Sequence, residues 1–436
     1  MIWVKNQTYS GWGRALSATG DIARPVETAT ISANAPAIGN RRSYGDAPLN
    51  GGGKAIDMTR LDCIEAFDRE TGLLTVQAGI TLGELTHILA PQGWLPAVVP
   101  GTGFATVGGA IAMDIHGKNH HHAGSFCQHI TSITLIQSDK SRKITPKSAA
   151  LWKATCGGLG QTGIIAQATL QLSPTKGDMM LVTERRARDW DHHIALLDAS
   201  DAPYAVGWID ATATGEALGR GILEEGETCR GLRPTPRGAK KIPFNAPHWA
   251  LSGPIVKAFN ATYYRRVPKS GRTVVRTAQD FFFPLDKIQD WNKLYGKRGF
   301  HQFQCVVPLD QSHTLRDMMQ AITESGLASP LAVLKRMGRG LDGVRAGYMS
   351  FPMEGYTLAV DFPNRPAARR LIARLEAATL TAGGRLYLAK DALATGTAIK
   401  SMYPEYPKWA RVVAKSDPDG ALQTDMIRRL DLRTPK

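Results

Sequence analysis

The stretch DIHGKNHHHAGS, Asp114 to Ser125, sets four histidines within seven residues, beside Lys118 and Asn119. Such a cluster could hold a metal, relay protons, or line a loop laid against another ligand. A metal needs convergent ligands, usually with a carboxylate or thiolate in support, and the consecutive His120, His121 and His122 cannot all point to one centre. No metal site is expected, and hydrogen bonding within the loop or plain exposure suits these three better. Two other stretches set polar groups in strand-like surroundings. In HQFQC a two-residue period places Gln302 and Gln304 on one face, with His301 and Phe303 on the other. LYLAKD carries Lys390 where a lysine is ordinarily solvated, but where burial would make it a base.

Glycine surrounds these groups. IGNRRSYGDAPLNGGG, PGTGFATVGGAIAMDIHGKN and CGGLGQTGIIAQATL each join a glycine-rich turn to a strand-like run. Glycine lets backbone N–H groups approach a pyrophosphate without an intervening side chain. None of the three is G-x-x-x-x-G-K-[ST], and none is a G-x-G-x-x-G that opens a helix after a strand, so both common nucleotide signatures are missing. Three such turns in this order carry more weight than one.

The elements that must position these residues fall into three zones. A chain of 436 residues exceeds the usual single core, so two domains are expected. Residues 1–172 alternate short strands (KAIDM, LLTVQAG, ITSITLIQS, GIIAQATLQL) with turns and one helix, TLGELTHILAPQG. Residues 173–384 hold longer elements: strands in HQFQCVVPL, LAVLKRMG and YTLAVDFP, and a helix in RPAARRLIARLEAATLTAGG that stops at a glycine pair. Residues 385–436 form a tail with its own strand and helices.

Charge is unevenly spread. The net charge is +15, and residues 228–279 contain 11 Lys or Arg and no Asp or Glu, interleaved with Phe244, Trp249, Phe259, Tyr263 and Tyr264. This composition fits either a solvated basic insertion or mobile loops that touch an anionic membrane surface, where aromatics suit the headgroup layer. No nucleic-acid motif accompanies the charge, and no nucleic-acid partner is expected. No apolar run reaches the roughly 18 residues of a membrane span, and the opening MIWVKNQTYSGWGRALS lacks a signal-like core, so the mature chain is expected to start near Met1. Five scattered cysteines without a C-x-x-C pair read as reduced thiols.

Taken together, RSYGD, PGTGFATVGGAIAMDIHGKNHHHAGSF, GLGQTGI, YLAKD and DMIRRLDL resemble the flavin-dependent oxidoreductases of the vanillyl-alcohol oxidase superfamily. Within it they are most similar to the polyprenylphosphoryl-ribose oxidases. The likeness runs from GWGR at Gly11 almost to the C-terminus. Aldonolactone oxidases show T-H-G-S-G where this chain has Ile115-His116-Gly117-Lys118-Asn119. The segment between GWGR and RSYGD is short for the family, which counts against a first helix there.

The resemblance implies an α+β, PCMH-type fold: an FAD domain (1–172), a substrate domain (173–384) and a C-terminal segment returning to the FAD domain (385–436). It places FAD against Gly39, Arg41, Arg42, Ser43, Tyr44 and Gly45. Further FAD contacts are expected from Pro100, Gly101, Thr102, Thr106, Gly108 and Gly109, from Asp114, His116, Gly117 and Asn119, and from Gly163, Ile164 and Tyr387. Some members attach FAD through a histidine where this chain has Arg42, so non-covalent binding is expected. Lys390, Tyr44 and His116 are the catalytic candidates. Lys118, Gln302, Gln304, Lys335 and Ala359 would line the substrate pocket, Ala359 replacing a cysteine of some relatives. The implied reaction oxidises the 2-hydroxyl of a polyprenylphosphoryl ribose to a 2-keto sugar, at the inner membrane as a peripheral protein, with a separate NADH-dependent reductase as partner. The alternatives are a soluble aldonolactone or alditol oxidase and a non-catalytic basic binding protein.

Overall fold

The computed structural model describes residues 1–231, 238–327 and 329–433. Its first unit contains two sheets. Trp3–Ser10, Ser17–Ala23, Lys54–Asp57 and Ala37–Ile38 form one, in that spatial order. The second sets Ile64–Asp68, Leu73–Gln77, Ile164–Pro174, Ile130–Gln137 and Lys140–Ile144 side by side, all antiparallel. Between Arg14 and Tyr44 only a 3-10 turn, Thr28–Thr30, interrupts the strands, in line with the shortness of that segment. The helix expected near residue 82 runs Leu82–Leu89. Thr81 and Glu84 cap it reciprocally, and Leu82, Leu85 and Leu89 are buried along one stripe.

The second unit is an eight-stranded sheet ordered Arg272–Thr277, Met179–Ala187, Gly221–Cys229, Tyr204–Ile209, Ala332–Met337, Gly355–Pro363, Phe300–Val307 and Arg385–Leu386. Helices Ser312–Glu324 and Pro366–Thr381 pack on one face. The other face meets the loop that carries His116. With both faces covered, every residue of Phe300–Val307 is buried, its glutamines included. The Ile164–Pro174 strand ends the first unit two residues beyond the expected boundary. Arg385–Leu386 still belongs to the second sheet, paired with Cys305 and Val306.

The basic segment is more ordered than its composition suggests. Residues 232–237, within it, lie outside the described residues. Gly253–Arg265 is a helix, and Arg272–Thr277 is an edge strand on Met179–Ala187. Its arginines find their acids elsewhere in the chain. Buried Glu184 accepts from Arg266 (2.6 Å), Arg272 (2.5 Å) and Arg276, and Glu224 accepts from Arg266 (3.0 Å) and Arg276 (3.2 Å). Local composition hid these pairs because both glutamates precede residue 228. The expectation of mobile loops is therefore corrected for this part of the segment.

After Leu386 the tail threads back to the first unit. Tyr44 N donates to Ala389 O (2.9 Å), and Trp12 N and Gly13 N donate to Ser43 O and Tyr44 O. Packing is so close that a Cβ on Gly45 would lie 1.8 Å from Asp391 O, which only glycine avoids. Arg429 closes the joint. It donates to both carboxylate oxygens of Asp46 (2.7 and 2.9 Å), to Asp391 (2.8 Å) and to Ala394 O (2.7 Å). Arg429→Ala leaves two buried carboxylates without a cation and should cost about 3–5 kcal/mol in urea unfolding. The neighbouring Arg428→Ala, which breaks a more exposed pair with Asp425, should cost under about 1 kcal/mol.

Candidate active site

Thr106 caps the short helix Val107–Ala112 by accepting from Gly109 N (3.2 Å). The chain then turns at Asp114 (φ 39°), whose buried carboxylate accepts from Cys127 N (3.0 Å). This turn delivers His116 into the gap between the two units. His116 is buried beside the stacked rings of Phe351 and Tyr387, 5.6 and 5.4 Å away. Its Nδ1 lies 2.9 Å from Lys335 Nζ, and its Nε2 lies 3.0 Å from the Gln304 amide. Burial holds His116 well below its usual pKa, helped by Lys335, His120 and Lys390, so the ring is neutral. A neutral imidazole has one acceptor nitrogen. When Lys335 donates to Nδ1, Nε2 carries the proton and the Gln304 amide must present its oxygen. A charged Lys335 can only donate and so fixes this tautomer, whereas a neutral Lys335 can donate or accept.

The facing sheet supplies the other groups through register. Gln302 pairs with Asp361, Gln304 with Ala359 and Lys335 with Thr357, and directly opposed residues share a face. Gln302, Gln304 and Lys335 therefore project together, with half-buried Ala359 among them. Gln302 donates to Asp361 Oδ1 (2.5 Å), and Gln304 lies 3.3 Å from Thr357 Oγ1. Lys390 reaches this face from the tail, its Nζ 3.6 Å from the centroid of the Tyr44 ring. Burial lowers both Lys335 and Lys390 to about 7, and Asp361 opposes the fall at Lys390. Burial, then Asp361, raises the Tyr44 phenol well above its usual value, so it stays protonated.

Lys118 differs from the others. It donates to Phe281 O and sits 3.9 Å over the Phe281 ring, and burial brings it to about 8. Its positive charge depresses Lys335; the repulsion expected between Lys118 and Lys390 falls there instead.

The glycine-rich loops surround this centre. Arg42 is sandwiched between Trp12 (4.1 Å) and Phe104 (4.5 Å), and its buried Nε has no partner. Arg41 adopts a left-handed φ of 52°. Gly39 lies against Thr106, Gly108 N donates to Ala78 O (2.8 Å), and Gly117 lies against the Asn119 side chain and Val99 O. Asn119 Nδ2 is spent on Ala97 O (2.8 Å), while its Oδ1 and Asp114 Oδ2 are buried and unpartnered. Beyond Gly101, where a Cβ would meet nothing, Thr102 Oγ1 and Gly103 N donate to Asp286 of the second unit (2.9 and 2.7 Å). Gly163 has φ 147°, and Tyr387 donates to Met113 O (3.2 Å). The Ile164 side chain packs with Ile56, Leu61 and Ile136, so a contact with FAD would fall to its backbone. The histidine run departs from expectation at His120 and His121 but not at His122. His120 is buried with an unpartnered Nδ1, and burial lowers it to about 3; His121 bonds Ala202 O (2.9 Å) in the second unit; His122 is exposed. Asp361, Tyr295, Thr357 and Asp286 escaped sequence reasoning. For Asp361 the signal was present, as an acid in phase with Thr357 and Ala359 inside the apolar strand YTLAVDFP.

Residues 21–168 match the family described as FAD binding domain. The chain is 37% identical to decaprenylphosphoryl-beta-D-ribose oxidase of Mycolicibacterium smegmatis over 97% of each chain. It is 30% identical to an uncharacterized protein in the mprA 5' region of Streptomyces coelicolor, over 81% of this chain and all of that one. To D-arabinono-1,4-lactone oxidase of Yarrowia lipolytica it is 30% identical over 27% of this chain. FAD is the cofactor, and the buried unpartnered atoms of Arg42, Asn119 and Asp114, all in its glycine-rich loops, fit a polar ligand.

Lys335 yields a stability prediction. Its folded pKa of about 7 lies below the roughly 10.4 of an unfolded lysine, so between these values the unfolded chain binds the extra proton. Stability should rise with pH across that window. Lys335→Met should flatten the rise in urea midpoint from pH 7 to 9.5, by at most about 1.4 kcal/mol per pH unit. An unchanged slope would mean that Lys335 is charged throughout.

Proposed function

The chain belongs to the family of FAD-dependent oxidoreductases that includes decaprenylphosphoryl-β-D-ribose oxidase, and on that premise we propose that it oxidises the 2-hydroxyl of a polyprenylphosphoryl ribose to the 2-keto sugar. One observation carries this reading. Lys118, Lys335 and Lys390 crowd one centre, in which Asp361 is the acid that acts on Lys390, and this suits an anionic polyol better than a neutral sugar. FAD, when bound, supplies the acceptor for the hydride from the carbinol carbon. Arg42, Asn119 and the surrounding glycines would hold it, and Arg42, unlike histidine, offers no neutral nitrogen for a covalent link.

The chain's own groups do the rest. Lys390, whose pKa of about 7 leaves part of it as free amine, takes the hydroxyl proton, with the Tyr44 phenol beside it. Neutral His116 and the amides of Gln302 and Gln304 orient the sugar hydroxyls. Lys118 and Lys335 face the phosphate. The keto product requires a reductase to become the epimeric alcohol, and an NADH-dependent partner is proposed for that step.

Among the described residues no helix is long and apolar enough to cross a membrane. A polyprenyl substrate would nevertheless bring the protein to a bilayer, and residues 228–279 are proposed as the contact. Phe244, Trp249 and Phe259 are 69%, 60% and 51% exposed, and the exposed Lys240, Lys241 and Lys257 lie in the same stretch. Glu184 and Glu224 already hold three arginines, which leaves these lysines and aromatics, with exposed Arg230, Arg265 and Lys269, among the described groups available to lipid.

Two outcomes are expected. Acid precipitation should leave all flavin in the supernatant, and anaerobic holoenzyme should be bleached by a short-chain prenylphosphoryl ribose but not by free sugars or lactones; equal bleaching by a lactone would favour an aldonolactone oxidase. Trp249→Ser with Phe259→Ser should weaken salt-sensitive binding to anionic vesicles about tenfold while FAD absorbance stays intact. Unchanged vesicle binding removes the membrane role from this surface.

A further inference from the structure

We propose that Asp361 is a positioning residue for the reaction: it clamps Gln302 and supplies the buried negative charge that acts on Lys390. The inference rests on the oxidation proposed above. Asp361 lies in the middle of an apolar strand, between Val360 and Phe362, and is fully buried. Its Oδ1 accepts from Gln302 Nε2 (2.5 Å) and its Oδ2 from Tyr295 OH (3.3 Å). Tyr295 is itself fixed by stacking on Phe300 at 4.1 Å, and Phe300 meets Tyr44 edge-on at 5.4 Å. The carboxylate is therefore held by two donors on rigid supports within an aromatic wall.

A carboxylate at such a place costs several kcal/mol unless a cation compensates, and an apolar residue of similar volume would serve packing better. Lys390 is the cation whose field it feels. Burial raises Asp361 to about 7, while Lys390, lowered by burial, also stands at about 7. Two groups with such overlapping titrations share protons as a pair. The groups that face the pair are His116 from the flavin loop, Lys335 from the Ala332–Met337 strand, Tyr44 from the N-terminal unit, and Tyr295 with Gln302. Of these, His116 is neutral, both tyrosines are protonated, and Lys335 is cationic or neutral, so the negative charge comes from Asp361.

The carbinol C–H breaks and its electron pair leaves as hydride, which FAD would accept when bound. The O–H breaks, its proton goes to the Lys390 lone pair, and the C=O bond forms. When the pair's own proton rests on Asp361, Lys390 has that lone pair free. When it rests on Lys390, the ammonium has no lone pair and cannot act as base. Asp361 thus sets the pH at which Lys390 works, without touching substrate.

Asp361→Asn tests this, since Asn keeps an oxygen for Gln302 but removes the charge. Without the carboxylate Lys390 loses the effect that raises its pKa, so the acid limb of the pH profile for flavin reduction by prenylphosphoryl ribose should move down by at least about one unit. Loss of a buried negative charge should also make the FAD midpoint potential at pH 8 more positive, measured with redox dyes and no substrate. Unchanged limb and potential, with FAD bound, would reduce Asp361 to a packing residue and overturn the proposal. If the Asn variant does not fold, Tyr295→Phe carries the test: loss of its hydroxyl favours the protonated acid, so the potential should shift positive to a smaller extent, and no shift overturns the proposal. A wild-type enzyme that prenylphosphoryl ribose fails to reduce would sink the substrate assignment, while the potential would still report on Asp361.

Discussion

Everything in this structure is arranged around the burial of positive charge with too little negative charge to match it. Lys118, Lys335 and Lys390 stand where the face of the eight-stranded sheet meets the His116 loop, and Asp361 answers for Lys390. Ammonium groups in such surroundings lose hydration that a lone carboxylate does not replace. The site is thus a destabilised region carried by the rest of the fold, as is common where protonation states must lie near neutrality. What it gains is lysines that can change charge, a histidine that cannot easily do so, and a standing affinity for anions.

Holding such a site requires rigid edges. On one side Gln304, His116 and Lys335 make a polar seam between the two units, in which a charged lysine fixes the ring's tautomer. On the other side the N-terminal GWGR turn, the Ser43–Gly45 turn and the chain after Leu386 lie backbone against backbone, sealed by Arg429 between Asp46 and Asp391. Asp286 ties the Thr102–Gly103 turn to the second unit. These contacts join segments far apart in sequence, so the site exists only when the tail has returned.

The basic segment shows how composition misleads when partners are remote. Its lack of acids suggested free charge, but Glu184 and Glu224 reach across from neighbouring strands and neutralise Arg266, Arg272 and Arg276. Among the described residues, what remains exposed is Lys240, Lys241, Lys257, Lys269, Arg230 and Arg265 beside Phe244, Trp249 and Phe259. The same lesson applies to His120, which lies inside although its neighbour His122 is exposed, because a single turn of helix points consecutive side chains in different directions.

Local pattern and motif resemblance were enough to establish the FAD-binding class, the strands that carry Gln302, Gln304 and Lys335, and the helix Pro366–Thr381 that backs them, because period and capping are short-range properties. The motifs around Lys390, Tyr44 and His116 were also legible, and the structure brings these three residues to one centre. Only the tertiary structure decided which charges meet. That Lys118 presses on Lys335 rather than on Lys390, that Asp361 stands opposite Gln302, and that Ile164 turns into the core are consequences of strand register and chain return. Register is settled by which faces are buried across the whole sheet, and a pKa is settled by what surrounds a group in space; neither quantity exists in a chain read one residue after another.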